Sequence, residues 1–144
     1  EPAMPDHCFT YGSLMCADIM HRVCAARPSA QPARLDGYRR HPVVGEAYPG
    51  MVPAPDAQVD GMLYLDLPPA AWPRLDAFEG SEYTRETVEV TLADGRRVAA
   101  WTYVFKPACV ARLGPGEWDF ARFLATGKAR FTGQYLGFGQ LDAP

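Results

Sequence analysis

The chain has 144 residues, of which 48% are hydrophobic and 22% charged, a composition typical of one globular domain. It contains no apolar run of about 18 residues and no basic segment leading into an apolar one, so we expect neither membrane association nor a signal peptide. The formal charge is −3 and the basic residues are scattered, which argues against nucleic-acid binding.

Four cysteines, Cys8, Cys16, Cys24 and Cys109, form no CxxC pair and have no paired histidines at ligand spacing. We therefore expect no metal site and interpret them as small apolar thiols of a cytoplasmic protein. Residues 1–6 are predicted to be disordered or cloning-derived, and residues 7–144 to form a single domain that is a monomer or weak homodimer.

The first half of the chain predicts a short strand, a helix and a long extended segment. The strand, 7–11, stops at Gly12, and the helix, 17–26, has apolar residues three to four positions apart. Extended chain is expected at 33–49, with a bulge or bend at Gly37 and Pro42. The Pro-rich stretch that follows is predicted to be a loop, 49–58.

The second half predicts a strand at 59–67, then a helix at 68–80 that ends at Gly80. Two alternating runs joined by Asp94-Gly95 predict a β-hairpin at 83–105. A last helix is expected at 116–126, and the tail, 129–144, as irregular chain over the surface. This order predicts an α+β fold, a small closed or strongly curved mixed sheet with short helices outside it.

The Tyr-Gly-Ser turn after the first strand has two interpretations. It can simply connect two elements, or it can direct backbone N–H groups at an anionic ligand. No phosphate-binding GxxxxGK[ST] motif follows the strand. A Ser13 nucleophile with His7, His21 or His41 lacks the GxSxG context, so a turn or N-cap role is favoured for Ser13.

Asp76 and Glu79 are unusual because both fall in the last turn of a predicted helix. The helix dipole is negative there and disfavours acidic groups by about 0.3–1 kcal/mol each. Glu79 also lies between Phe78 and Gly80, where an apolar environment would raise its pKa towards that of a general base. The alternative is a solvated surface glutamate with a small tolerated cost.

Three stretches together resemble the γ-glutamylcyclotransferase-like family, and within it the avirulence-induced-gene-like branch that includes γ-glutamylamine cyclotransferases. They are FTYGSLM, then ARLDGYRR with AYPGMVP and VDGMLYLDL, and finally LDAFEGSEYTRETVEV. The similarity spans about residues 9–90. It implies a small mixed β-barrel with peripheral helices, in agreement with the fold predicted from the pattern.

The resemblance also implies a set of site residues. Glu79 matches the family's acid/base glutamate, and the YGSL turn matches the loop whose main chain binds the substrate α-carboxylate. Tyr48, Tyr83 and Arg85 are further candidate substrate-binding residues. Tyr48 is also compatible with simple packing, and Arg85 with pairing to Glu46 or Glu89. The turn residues are Tyr11, Gly12, Ser13 and Leu14.

The implied reaction is intramolecular aminolysis of a small γ-glutamyl compound, an amino acid or amine derivative, which releases 5-oxoproline. Because ring closure gains from proximity, the reaction needs no cofactor. Glu82 is interpreted as a solvated control carboxylate, and Trp101, Tyr103 and Phe105 as core. The alternative function is a non-catalytic protein on the same fold that binds a small anionic metabolite or a protein partner.

Overall fold

The computed structural model describes residues 6–135 and 137–141, so residues 1–5 of the predicted N-terminal segment lie outside the described part. Its centre is a closed barrel whose five strands neighbour one another in the order β1-β3-β2-β4-β5. All neighbours are antiparallel except β1 and β5, which pair in parallel and close the barrel. The strands are β1 Cys8–Thr10, β2 Ala30–Pro42, β3 Pro49–Tyr64, β4 Tyr83–Leu92 and β5 Arg97–Phe105.

The barrel interior is filled by one apolar cluster to which every strand contributes. Side chains alternate along each strand, so every second residue points inward. This alternation explains why Val90 and Leu92 are buried in β4, while Glu89 before them is exposed and Thr91 between them is half-buried. The inward residues are Phe9, Ala33, Leu35, Met51, Val59, Leu63, Val90, Leu92, Ala100 and Val104.

Helices pack on the outside of the barrel over a second apolar cluster that includes Tyr64, Tyr103 and Phe105. The chain thus forms the predicted small mixed barrel with short peripheral helices. Among the described residues, no helix combines the length and apolar character needed to cross a membrane. The helices are α1 Ala17–Cys24, α2 Ala71–Glu79, α3 Phe120–Arg122, α4 Lys128–Gln134 and α5 Gly137–Leu141, with 3-10 segments at Ser13–Met15 and Pro107–Arg112.

Several local predictions are confirmed. Helix α2 ends at Gly80, whose φ of 82° suits glycine and whose N–H donates to the Asp76 carbonyl. The register of β2 with β3 shifts between Asp36 and Tyr38, which places a bulge at Gly37. β4 and β5 form the expected hairpin around Asp94-Gly95.

The predicted loop at 49–58 is wrong, because these residues belong to the 16-residue strand β3. Pro55 falls inside the register shift and Pro53 at its border, where the ladder of hydrogen bonds is already interrupted. Both prolines are exposed. A missing proline N–H therefore costs little at these positions, and the strand continues through them.

The predictions for the C-terminal part also need correction. The last helical segment begins at Phe120, where the Asp119 side chain accepts a hydrogen bond from the Arg122 N–H. It continues through a π-helical turn, Phe123–Gly127, into α4. The tail is therefore largely helical in its described part and packs against the molecule, with Phe131 and Phe138 buried.

Candidate active site

A narrow inner cavity lies where the end of β1, the end of α2 and the C-terminal helices meet. Its volume is about 30 Å³, room for roughly two water molecules. Most of its lining is aromatic. The lining residues are Phe9, Thr10, Tyr11, Gly12, Ser13, Leu14, Tyr48, Pro49, Phe78, Glu79, Tyr83, Tyr103, Phe131 and Tyr135.

The structure brings seven of the eight predicted site residues to this cavity, all except Arg85. Pro49, from the AYPGMVP stretch, contacts residues of the two other motif stretches, Gly12 and Tyr83. The Tyr83 hydroxyl donates to the Pro49 carbonyl at 2.7 Å. A Cβ on Gly12 would lie 2.8 Å from the Pro49 ring, so only glycine allows this close approach.

The turn after β1 leads directly into a 3-10 helix, Ser13–Met15. The N–H groups of Ser13 and Leu14 belong to its first turn and have no acceptor within the helix. The Tyr11 carbonyl is held from behind by Arg40, whose Nη1 donates to it at 2.8 Å. The sequence analysis did not identify Arg40 as a residue that supports this turn.

Glu79 is the last residue of α2 and lines the same cavity. The residue is half-buried, with its carboxyl enclosed by protein. Desolvation by burial raises the pKa of Glu79 to about 8, and the nearby Asp76 carboxylate contributes in the same direction. The carboxyl therefore exchanges its proton near neutral pH, as a general acid/base requires.

The other ionisable groups of the inner cavity are five tyrosines, and burial raises the pKa of each phenol. Each hydroxyl already donates to a protein acceptor; that of Tyr11, for example, donates to the Tyr103 carbonyl at 2.6 Å. The rings thus form apolar walls. Within the described lining, Glu79 is the one group that titrates near neutral pH. The tyrosines are Tyr11, Tyr48, Tyr83, Tyr103 and Tyr135.

Arg85 lies outside this cavity and interacts with Asp76, a partner that the sequence analysis did not consider. Its guanidinium makes two hydrogen bonds to the Asp76 carboxylate, at 2.9 and 3.3 Å. It also packs against the rings of Trp72 and Trp101, at 5.0 and 4.6 Å from their centroids. Tyr103 donates to Asp76 at 2.7 Å, so this cluster joins α2 to the barrel wall.

Replacing Asp76 with asparagine is expected to lower the pKa of Glu79. The substitution removes a negative charge three residues away and leaves the Arg85 charge uncompensated, and both changes favour the Glu79 carboxylate. An amide oxygen still accepts the Tyr103 hydrogen bond. NMR titration of the Glu79 carboxyl carbon should show a downward change of about one pH unit or less.

Asp36→Asn is the matched control for this titration, because Asp36 also pairs with an arginine but in an exposed position. Its Glu79 titration should coincide with that of the wild type. An unchanged Glu79 titration in Asp76→Asn would show that burial alone sets the proton affinity of this carboxyl.

The C-terminal helices supply cavity residues that sequence analysis missed. Phe131 and Tyr135 lie in the tail that was predicted to be irregular. The Tyr135 hydroxyl donates to the carbonyls of Phe78 and Glu79, at 2.7 and 3.1 Å, and so caps the end of α2. The spacing of Phe131, Tyr135 and Phe138 is helical and was the available signal, but the intervening glycines obscured it.

The histidines do not support a Ser13 nucleophile. Ser13 lines the cavity and is only 7% exposed. His7 accepts from the Asp66 N–H, and His41 contacts the Gly116 carbonyl. No histidine belongs to the described lining of the cavity. Over residues 6–135 and 137–141, no cluster of three potential metal ligands occurs either.

Glu82, interpreted from sequence as a solvated control, is instead paired. It accepts a hydrogen bond from the Tyr48 hydroxyl at 3.2 Å and forms an ion pair with Arg112. Its side chain is only 21% exposed. It lines a second, outer cavity of about 640 Å³. Glu82 is therefore unsuitable as a neutral control for Glu79.

The fold and the cavity define a class of small barrel proteins that hold one buried, titratable glutamate beside a glycine-containing turn. The family model described as "Gamma-glutamyl cyclotransferase, AIG2-like" matches residues 8–120. The chain belongs to this family and is a cyclotransferase-like enzyme. The match extends beyond residues 9–90, which contain the motifs that resemble the family, but it stops before Phe131 and Tyr135.

Relatives in Arabidopsis thaliana support the assignment. The chain is 33% identical to AIG2-like protein D over 114 residues, which cover 78% of this chain and 74% of that protein. A solution structure of an Arabidopsis thaliana protein matches with a TM-score of 0.69 and 27% identity, covering 92% of this chain and 80% of that one. A solved gamma-glutamyl cyclotransferase matches in fold, with a TM-score of 0.66, 15% identity and coverage of 97% and 88%.

Proposed function

We propose that this protein releases 5-oxoproline from a small γ-glutamyl compound by intramolecular aminolysis, with Glu79 as general acid and base. The observation that carries the proposal is the enclosed Glu79 carboxyl, whose pKa is raised to about 8, in the same cavity as the Tyr11–Leu14 turn. The family assignment supports the reaction type.

The turn is proposed to hold the substrate α-carboxylate. The proposed donors are the N–H groups of Ser13 and Leu14, two residues of the cavity lining that begin the 3-10 helix. Gly12 keeps the turn against Pro49, and Arg40 holds it through the Tyr11 carbonyl. With the carboxylate bound there, the α-amine and the γ-carbonyl of the substrate extend towards Glu79.

The reaction requires a neutral α-amine, which is mostly ammonium at neutral pH. An ordinary glutamate is too weak a base by about 5 kcal/mol, whereas a glutamate with a pKa of about 8 matches the amine. The ionised Glu79 accepts the ammonium proton, and the amine nitrogen bonds to the γ-carbon. Glu79 then delivers this proton to the leaving nitrogen as its bond to the γ-carbon breaks. The ionised Glu79 next accepts the second proton of the ring nitrogen and passes it to the released amine, which leaves as an ammonium ion, so that no further reactant is needed.

The aromatic walls are proposed to exclude water from this step, which limits hydrolysis of the γ-amide. The empty inner cavity is too small for a glutamyl group, so substrate binding must displace part of its lining. Phe131 and Tyr135 belong to the C-terminal helices and are the proposed movable wall.

All four cysteines are free thiols, which supports action in a reducing compartment such as the cytoplasm.

The test is a direct assay of 5-oxoproline formed by the purified protein from a panel of γ-glutamyl amino acids and γ-glutamylamines. Formation of 5-oxoproline from at least one compound is expected. If none is converted although the compounds bind the protein by calorimetry, the non-catalytic binding function is the correct one.

A further inference from the structure

The outer cavity has no role in the chemistry described above, although it adjoins the inner one. Five residues line both cavities: Tyr48, Phe78, Glu79, Phe131 and Tyr135. Residues Tyr11–Leu14 line only the inner cavity. Glu79 is therefore at the boundary between the cavities, with the carboxylate-binding turn on one side and the outer cavity on the other.

This arrangement determines where each part of a substrate lies, given the proposed function on which the inference rests. If the glutamyl α-carboxylate is bound by the turn and the γ-amide is next to Glu79, the group attached to the amide nitrogen must extend into the outer cavity. With about 640 Å³, the outer cavity is large enough for an amino acid or a small amine.

The ionisable lining of the outer cavity, apart from its tyrosines, consists of two arginines and three glutamates. Glu82 is already neutralised by Arg112 through their ion pair. Arg130 forms no ion pair with the described residues, and Gln134 lies one helical turn after it on α4. Ser81 adds a hydroxyl, and the remaining acid, Glu46, is exposed, as is Arg130. The arrangement leaves a cationic donor available next to an amide donor.

We propose that the outer cavity is the leaving-group site and that Arg130 selects leaving groups that carry a carboxylate. A guanidinium binds a carboxylate through charge-assisted hydrogen bonds, which are stronger than neutral ones. Arg130 lies beyond the residues that the family model matches, 8–120, so this preference is a property of the C-terminal segment of this chain.

The experiment compares γ-glutamyl-alanine with γ-glutamyl-ethylamine, which lacks only the leaving-group carboxylate. In the wild type, kcat/KM should be at least about tenfold higher for the alanine compound, mainly through a lower KM. Arg130→Gln should bring the ratio close to one. Arg122 is an exposed arginine at the end of α3 that lines neither cavity, so Arg122→Gln should leave the ratio unchanged.

Calorimetric binding of both compounds to Glu79→Gln separates this inference from the proposed function. If the alanine compound binds more tightly and this preference depends on Arg130, but the wild type forms no 5-oxoproline, the leaving-group site is supported and the proposed reaction is overturned. If wild type and Arg130→Gln both convert the two compounds equally well, carboxylate selection by Arg130 is overturned and the proposed reaction is supported. A preference for γ-glutamyl-(4-aminobutyl)amide would also overturn this selection and indicate Glu46 as the selecting residue.

Discussion

Glu79→Gln is expected to lower kcat for 5-oxoproline release by about 10²–10⁴-fold, because glutamine can neither accept the ammonium proton nor deliver one to the leaving nitrogen. Glutamine has nearly the shape of the protonated glutamic acid that predominates at neutral pH. The cavity and the bound substrate geometry should therefore persist. Steady-state kinetics on the best substrate of the panel should show a large loss in kcat with KM little changed.

Glu89→Gln is the control for this experiment. Glu89 belongs to the same FEGSEYTRETVEV stretch as Glu79 but lies within strand β4, where its side chain is 62% exposed and pairs with Arg97 on the barrel surface. It should retain wild-type kinetics. Full activity of Glu79→Gln would rule out the proposed proton transfer and leave the tyrosines of the cavity wall as the remaining candidate acid/base groups.

The second expected result concerns stability: the wild-type protein should lose about 3–5 kcal/mol of unfolding free energy between pH 4.5 and pH 8 through Glu79 alone. The folded-state pKa of about 8 lies above the ordinary value of 4.5. Over this interval the folded protein retains a proton that the unfolded chain has released. Raising the pH therefore favours unfolding, and the stabilising contribution is complete only below about pH 4.5.

Urea unfolding of wild type and Glu79→Gln at pH 4.5, 6 and 8 measures this effect. All other titrating groups are common to the two proteins, so their difference in unfolding free energy isolates Glu79. The unfolding free energy of the variant should rise relative to that of the wild type as the pH increases. Because Glu79 is only half-buried, we expect a change near the lower end of the range of about 3–5 kcal/mol. Parallel pH curves for the two proteins would mean that Glu79 has an ordinary pKa.

The elements predicted correctly from sequence depend on neighbouring residues. Gly80 ends α2 through its own backbone conformation, and Asp94-Gly95 forms a turn whose geometry both residues favour. The acidic residues at the end of α2 were recognisable because the helix dipole penalises them locally. The motif resemblance then connected Glu79 with the turn at Gly12, which no local rule could do.

The predictions that failed depend on contacts between distant residues. Pro53 and Pro55 are typical loop residues, yet β3 continues through them because it pairs with β2 on both sides of the register shift at which they lie. Arg85 has plausible partners on its own strand, but the fold places Asp76 and two tryptophan rings around it. In each case propensity was outweighed by packing with residues that sequence does not place nearby.

The barrel class, the turn that follows β1 and the unusual glutamate at the end of α2 were predictable from sequence, because each depends on local patterning or on the order of short motifs within this chain. Only the tertiary structure decided which residues enclose that glutamate. Tyr135 reaches the end of α2 across 56 residues, and its hydrogen bond to the Glu79 carbonyl forms only when the C-terminal helices pack on the barrel. Enclosure is what raises the pKa of Glu79, so the property proposed to make it catalytic arises from folding.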